Sequence, residues 1–145
     1  MKKYILVIQQ QGAVSKAHLV NKKSQIVATG QQTVGIIADK SEWIGYDPLE
    51  MIYSVRSAIL KVMQEKKVKN TDLSSVAILN APGTCLVWDK SSGLPLYQAI
   101  DAQCPRTKDR CRVLIKNHMA EEIKKKTGLN LNYHHAAPKW QWIFE

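Results

Sequence analysis

The sequence predicts a mixed α/β fold: a sheet with three antiparallel leading strands, flanked by helices. Three observations predict it. Residues 4–8, YILVI, form a short continuous apolar run of the kind taken by a strand buried on both faces. Two further β-like runs, KAHLVN and SQIVATGQQ, follow with the turn composition NKKS near their junction. A long amphipathic pattern with a helix-start signature then begins at Asp47, and another apolar run, SSVAILN, comes after it.

In chain order, the first strand runs into Gln9, Gln10 and Gln11, a polar turn with no acid in it, and the hairpin of the next two strands completes an antiparallel meander. The helix covers YDPLEMIYSVRSAILKVMQEKK. Asp47 caps it, Pro48 suits the first helical position because it has no N–H to leave unsatisfied, and Glu50 completes a capping box. Ile52, Val55, Ile59 and Val62 recur at helical spacing and mark the expected buried stripe. SSVAILN reads as another buried strand. TCLVWD and PLYQAI flank KSSGL as a second hairpin, and the chain turns helical from Pro105, with Gly128 placed to end a helix in the left-handed region. Without repeats or a low-complexity linker, residues 1–145 read as one domain.

Bulk properties exclude several classes. The 45% apolar and 23% charged composition is that of a globular chain, and no apolar run reaches the roughly 18 residues of a membrane span. The basic pair and five-residue apolar run at the start are too short for a signal peptide, which needs about 7–15 apolar residues, so the expected location is the cytoplasm. Cys85, Cys104 and Cys111 fit no disulfide framework and are expected as reduced thiols. The net charge is +9, and eight of the 21 basic residues lie in PRTKDRCRVLIKNHMAEEIKKKTG, which permits an acidic partner or nucleic acid without specifying either.

Three strands, a helix and a further strand fit the ribonuclease-H-like half-domain of actin, hexokinase and sugar kinases, one option among several α/β folds. The residues narrow it. KKYILVIQQQGAVSKA, GYDPLEM, AILNAPGTCLVWDKSSGLPLYQAI, KKKTGLNL and KWQWIFE together resemble the amino-terminal part of glycerol kinases, of the FGGY carbohydrate kinase family, nearly gap-free across the chain. The resemblance implies a truncated ribonuclease-H-like half-domain, incomplete relative to the family.

The same resemblance implies that the site has been lost. Family members carry an aspartate after the first strand, then Gln-Gly-Thr-Thr-Ser, in a loop that approaches the ATP phosphates and helps hold magnesium. Here Gln9 stands at the aspartate, Gln10 follows, Gln11 replaces the glycine, and Gly12 and Ala13 replace the threonines. Glutamine is a poor magnesium ligand, and a side chain at Gln11 obstructs close approach of phosphate. On the sugar side, Asn80 matches the family's Asn-Gln-Arg-Glu, but Pro82 and Gly83 replace the Arg-Glu pair. Ala102 replaces a tryptophan that lies against glycerol, with Asp101 before it. His134 replaces a substrate-binding tyrosine, and only Lys139 of that segment is retained. The family's later aspartate base and adenine-binding domain lie outside these 145 residues. The expectation is therefore no catalytic residue, no metal, and no use of the family's ATP and magnesium.

Other constellations have ordinary readings. His118, His134 and His135 with Cys104 and Cys111 fit no zinc spacing. Arg106, Arg110 and Arg112 fall along helical turns with no aromatic platform beside them in sequence, which argues against single-stranded nucleic acid. Cys85, in an apolar strand, is expected to be packed and inert. Trp140 and Trp142 are expected to leave apolar surface uncovered. The expected function is a non-catalytic binding module that self-associates or takes a second protein chain. The alternatives are one part of a split or larger carbohydrate kinase, and an anion- or nucleic-acid-binding protein using the basic helices.

Overall fold

The computed structural model describes residues 3–38 and 42–145. In chain order the elements are β1 (Tyr4–Gln11), β2 (Val14–Asn21), β3 (Ile26–Thr33), β4 (Ile37–Ala38), β5 (Ile44–Tyr46), α1 (Pro48–Glu65), β6 (Leu73–Leu79), β7 (Ala99–Ile100), α2 (Lys108–Lys116), α3 (Met119–Thr127) and α4 (Ala136–Phe144). Expected as one domain over residues 1–145, the chain packs as two compact units: Met1–Gly35 with Asp47–Ala81, and Ile36–Tyr46 with Pro82–Glu145. Lys2, in the expected basic pair at the start, lies outside the described residues.

The first unit holds a four-stranded sheet in the order β3-β2-β1-β6, with β1, β2 and β3 antiparallel and β6 parallel to β1. The expected meander is present. Its second turn is built by Asn21, whose Oδ1 accepts from the backbone N–H groups of Lys23 (2.9 Å) and Gln25 (3.0 Å). Leu6, Leu19 and Ala28 stand in one cross-strand row and, with Ala17, form the core against Ala58 and Val62 of α1. Burial of such side chains contributes about 25 cal/mol per Å² of apolar surface removed from water.

Helix α1 begins as its sequence predicts. Asp47 Oδ1 accepts from Leu49 N–H at 2.8 Å with Pro48 in the first turn, a cap that stabilises by about 1 kcal/mol. The capping box is corrected: Glu50 Oε1 instead accepts from Gly35 N–H at 2.9 Å, which ties the chain after β3 to the helix. The buried stripe is corrected as well. It runs through Ser54, Ala58 and Val62, while Ile52 is 55% exposed. Gly30 explains the rotation. A Cβ there would collide with the Ala58 carbonyl, so helix and sheet backbones approach too closely for large side chains between them. Ser15 and Ser54 meet by their hydroxyls, 2.7 Å apart, in the same narrow gap.

Two strands expected to be buried on both faces are not. Ile5 of β1 is partly exposed, and β6, at the sheet edge, leaves Val76 and Ile78 54% and 72% exposed. The reason is positional: α1 lies mainly over β2 and β3.

In the second unit β4, β5 and β7 form a small antiparallel sheet. The expected second hairpin reduces to two isolated antiparallel bridges, Cys85–Ile100 and Trp88–Pro95. Its tip is shaped by Asp89, whose Oδ1 accepts from Ser92 N–H and from the Ser91 and Ser92 hydroxyls. α3 ends as predicted at Gly128 (φ 74), whose N–H donates to Lys124 O. Cys85, Ile100 and Cys104 form the core of this unit, packed by Trp43, Ile44, Trp142 and Ile143.

Candidate functional site

The phosphate-loop positions fall in the first unit. Gln9, Gln10 and Gln11 are the last residues of β1, opposite Lys16, Ser15 and Val14; they are strand, where the sequence suggested a turn. The turn is only Gly12 and Ala13. Gly12 has φ 53, and a left-handed residue at the first of two central positions suits a tight hairpin. Ala13 O accepts from Val34 N–H at 2.8 Å. Two of the amides pair, and the third turns to the backbone: Gln9 Nε2 donates to Gln11 Oε1 (2.7 Å), and Gln10 Nε2 to Gly12 O (3.0 Å).

This donor set does not fit magnesium. It offers neutral amide oxygens, that of Gln11 already engaged by Gln9, a lysine opposite Gln9, and no carboxylate, where a hard divalent cation takes anionic oxygens. Among the described residues no group of three or more His, Cys, Asp or Glu is placed to hold a metal ion.

The sugar-side positions fall in the second unit, which brings three of the four together. Gly83 adopts φ 80, and a Cβ on it would overlap the His134 carbonyl oxygen and come within 3.3 Å of Ala102 Cβ. His134 Nδ1 lies 3.1 Å from Ala102 O. Pro82 stands beside them at the surface. The group is anchored by Lys139, which is wholly buried. Its Nζ donates to Tyr133 O (2.7 Å), His135 O (3.1 Å) and Ala102 O (3.3 Å), so all three N–H groups are used. Burial lowers the pKa of this ammonium, opposed by the field of Cys104, Cys85, Asp101 and Cys111.

Beside this cluster Asp101 is buried, accepting from the Tyr46 hydroxyl at 2.9 Å and from Gln103 N–H at 2.7 Å. Burial, then the bond to Asp101 and its charge, push the Tyr46 phenol up to about 12. Cys85, Cys104 and Cys111 are free thiols and all buried. Burial pushes Cys85 up to about 11, which suits the inert thiol expected of it.

The arginines correct the sequence reading. Arg106 does have an aromatic platform, assembled from distant positions: its guanidinium carbon lies 4.5 Å from the centroid of Trp43, 4.8 Å from Trp142 and 5.7 Å from Tyr97. Its Nε also donates to Cys104 Sγ at 3.0 Å. Arg110 pairs with Glu145, and Arg112 with Asp109. The histidines are dispersed: His135 Nε2 lies 3.1 Å from Asn130 O, and His118 precedes α3 with φ 59.

A sequence profile for the FGGY family of carbohydrate kinases, N-terminal domain, matches residues 4–145. The chain belongs to this family. The glycerol kinase of Mycoplasmopsis pulmonis is 35% identical over 143 residues, covering 99% of this chain and 28% of that protein. The glycerol kinase of Alkaliphilus oremlandii is 35% identical over 146 residues, covering all of this chain and 29% of that protein. Plasmodium falciparum glycerol kinase, in a crystal structure with ADP, superposes with a TM-score of 0.79 at 26% identity, over 97% of this chain and 28% of that one. Gluconate kinase from Lactobacillus acidophilus superposes at 0.87 with 18% identity, over 100% of this chain and 29% of that one, a likeness of fold. The actin- and hexokinase-like ATPase fold expected from the sequence is the fold of these FGGY kinases. The chain spans under a third of the length of the relatives it matches. Among the described residues no helix is long and apolar enough to cross a membrane.

Proposed function

We propose that this FGGY N-terminal domain is a non-catalytic binding module of the cytoplasm, acting through protein contacts without ATP or magnesium. The observation that carries the reading is the amide set at Gln9, Gln10 and Gln11, with no carboxylate among them. Phosphoryl transfer depends on charge neutralisation by metal and cationic groups, and neutral amides do not hold that metal. The place of the His134 carbonyl supports the same reading, because a Cβ on residue 83 would overlap it, which leaves no room for a side chain there.

A coupled assay with magnesium, ATP and glycerol tests it. No turnover above a no-protein blank is expected; turnover that survives repurification overturns it. One observation favours a second reading, a part of a split carbohydrate kinase: the chain covers only 28–29% of the glycerol kinases it resembles. Glycerol phosphorylation that emerges only on mixing with the carboxy-terminal part of a glycerol kinase would favour that reading.

A further inference from the structure

We propose that the cavity between α2, α3 and the start of α4 binds a small amphiphilic carboxylate, an unbranched alkyl chain with an anionic head. The inference goes beyond the protein contacts proposed above and does not depend on them. The cavity has a volume of about 430 Å³, within the roughly 300–1,000 Å³ of small-molecule sites. Every wall comes from residues 114–141, all of the second unit. Leu114 of α2, Met119 and Ile123 of α3, Leu129 and Leu131 of the connecting segment and Pro138 of α4 give it an apolar lining.

The polar groups of the wall are largely spent on the fold. The Thr127 hydroxyl donates to Ile123 O at 2.7 Å and accepts from Leu129 N–H at 3.1 Å. His135 Nε2 lies 3.1 Å from Asn130 O. A peptide entering this space would bring backbone N–H and C=O groups that such a wall leaves unpaired, whereas an alkyl chain brings none. The remaining polar side chains of the lining are the amides of Asn130 and Gln141, both at exposed positions. Charge then selects the head. Residues 105–128 hold eight basic side chains against three acidic ones. Lys126, three residues after Ile123 and seven after Met119, shares their face of α3. Its Nζ pairs with Glu122 at 2.6 Å, an exposed pair of little worth, while Lys124 and Lys125 make no ion pair among the described residues. A carboxylate at this mouth meets surplus positive charge.

Octanoate is the probe, titrated into the chain by calorimetry, with methyl NMR of the methionines to place it. The Met119 methyl should shift, while those of Met51 and Met63, in the first unit, should not. From hexanoate to decanoate, each added methylene should lower Kd about fourfold. Octanoate should bind about two- to fivefold more tightly than octanol, an advantage that added salt removes. Met119→Trp, at a position 42% exposed, fills the mouth and should abolish binding with the circular dichroism unchanged. Lys124→Gln with Lys126→Gln should bring octanoate to the level of octanol and leave octanol itself unaffected. Absence of binding, a shift confined to Met51 or Met63, equal binding of acid and alcohol, or an affinity flat with chain length overturns the proposal. So does capture of the chain by phosphatidylglycerol vesicles without any Met119 response to free octanoate. The methyl shift and the lysine variants decide the matter even if Met119→Trp unfolds.

Discussion

A Cβ on residue 83 would sit on the carbonyl oxygen of His134, and residue 83 is a glycine at φ 80. Two obstacles coincide there. The left-handed backbone disfavours any L side chain, and the obstructing atom belongs to backbone that is held in place: Lys139 Nζ binds the carbonyls of the residues on either side, Tyr133 and His135. Gly83→Ala is expected to cost about 1–3 kcal/mol from strained backbone alone, read as a lower urea midpoint. The fourfold variant Gln9→Asp, Gln11→Gly, Pro82→Arg, Gly83→Glu should be destabilised too, and should not phosphorylate glycerol. Groups that act as a unit are not restored piecemeal. Glycerol-dependent ATP hydrolysis by that variant would show that the site positions were assigned wrongly.

Gly30 imposes a similar constraint in the other unit. A Cβ there would meet the carbonyl of Ala58 and come within 3.0 Å of Val62 N, both backbone atoms of α1. Gly30→Ala must lift the helix from the sheet, and overpacking of this kind costs about 1–3 kcal/mol. Denaturant unfolding checks it: unchanged stability would mean that α1 does not lie so close to β3.

Local chemistry was legible in the sequence wherever it is local in space. The Asp47–Pro48 helix start, the Asn21 turn and the left-handed end at Gly128 all depend on neighbours within four residues. The misread features depend on distant ones. The α1 stripe was displaced by Gly30, Glu50 was drawn to Gly35, and the burial of β6 was overestimated because an apolar run does not report whether a neighbour covers it. At the candidate site, single positions could be aligned with the family one by one. Contact among Gly83, Ala102 and His134 could not be read, nor could the Arg106 cage, since its three rings come from residues 43, 97 and 142. A retained lysine at 139 was the one available signal of the buried anchor.

That anchor gives a third expectation. Lys139→Met keeps the stem but takes the ammonium donor from the carbonyls of Tyr133 and His135, and from that of Ala102, which keeps His134 Nδ1 within 3.1 Å. An unsatisfied buried acceptor costs about 1–3 kcal/mol, and removal of a buried charge offsets part of the total. A fall in melting temperature and a changed near-ultraviolet dichroism from the adjacent Trp140 are expected. A variant as stable as the parent would mean that the three bonds contribute nothing net.

Alkaline stability should carry the signature of Cys85. Burial raises its pKa to about 11, so above its ordinary 9.0 the folded chain keeps a proton that the unfolded chain releases. Stability therefore falls as pH rises from about 9 to about 11. Tyr46, raised to about 12, acts in the same direction from 10.0 upward. Lys139 has the opposite sign: its lowered pKa means that the folded chain sheds a proton first, which favours folding as pH rises toward 10.5. Cys85→Ala removes that thiol's titration, and with it one of the charges that hold up the Lys139 pKa. Between pH 8.5 and pH 11 the variant should lose less melting temperature than the parent, and equal losses would remove Cys85 from the account.

The arginines decide whether basic charge here serves folding or an anionic ligand. Arg106 is surrounded by Trp43, Trp142 and Tyr97, and its Nε is given to Cys104 Sγ. A cation over aromatic faces contributes about 0.5–2 kcal/mol, more when desolvated, and the planar guanidinium is not replaced by an ammonium. Arg106→Gln should lower stability and shift tryptophan fluorescence, because two of the three rings are indoles. Its elution from a heparin column should scarcely move, since that guanidinium is already engaged within the fold. A nucleic-acid-binding role for Arg106 would give the reverse: an unchanged melting temperature, a markedly earlier elution, and a smaller slope of affinity against salt.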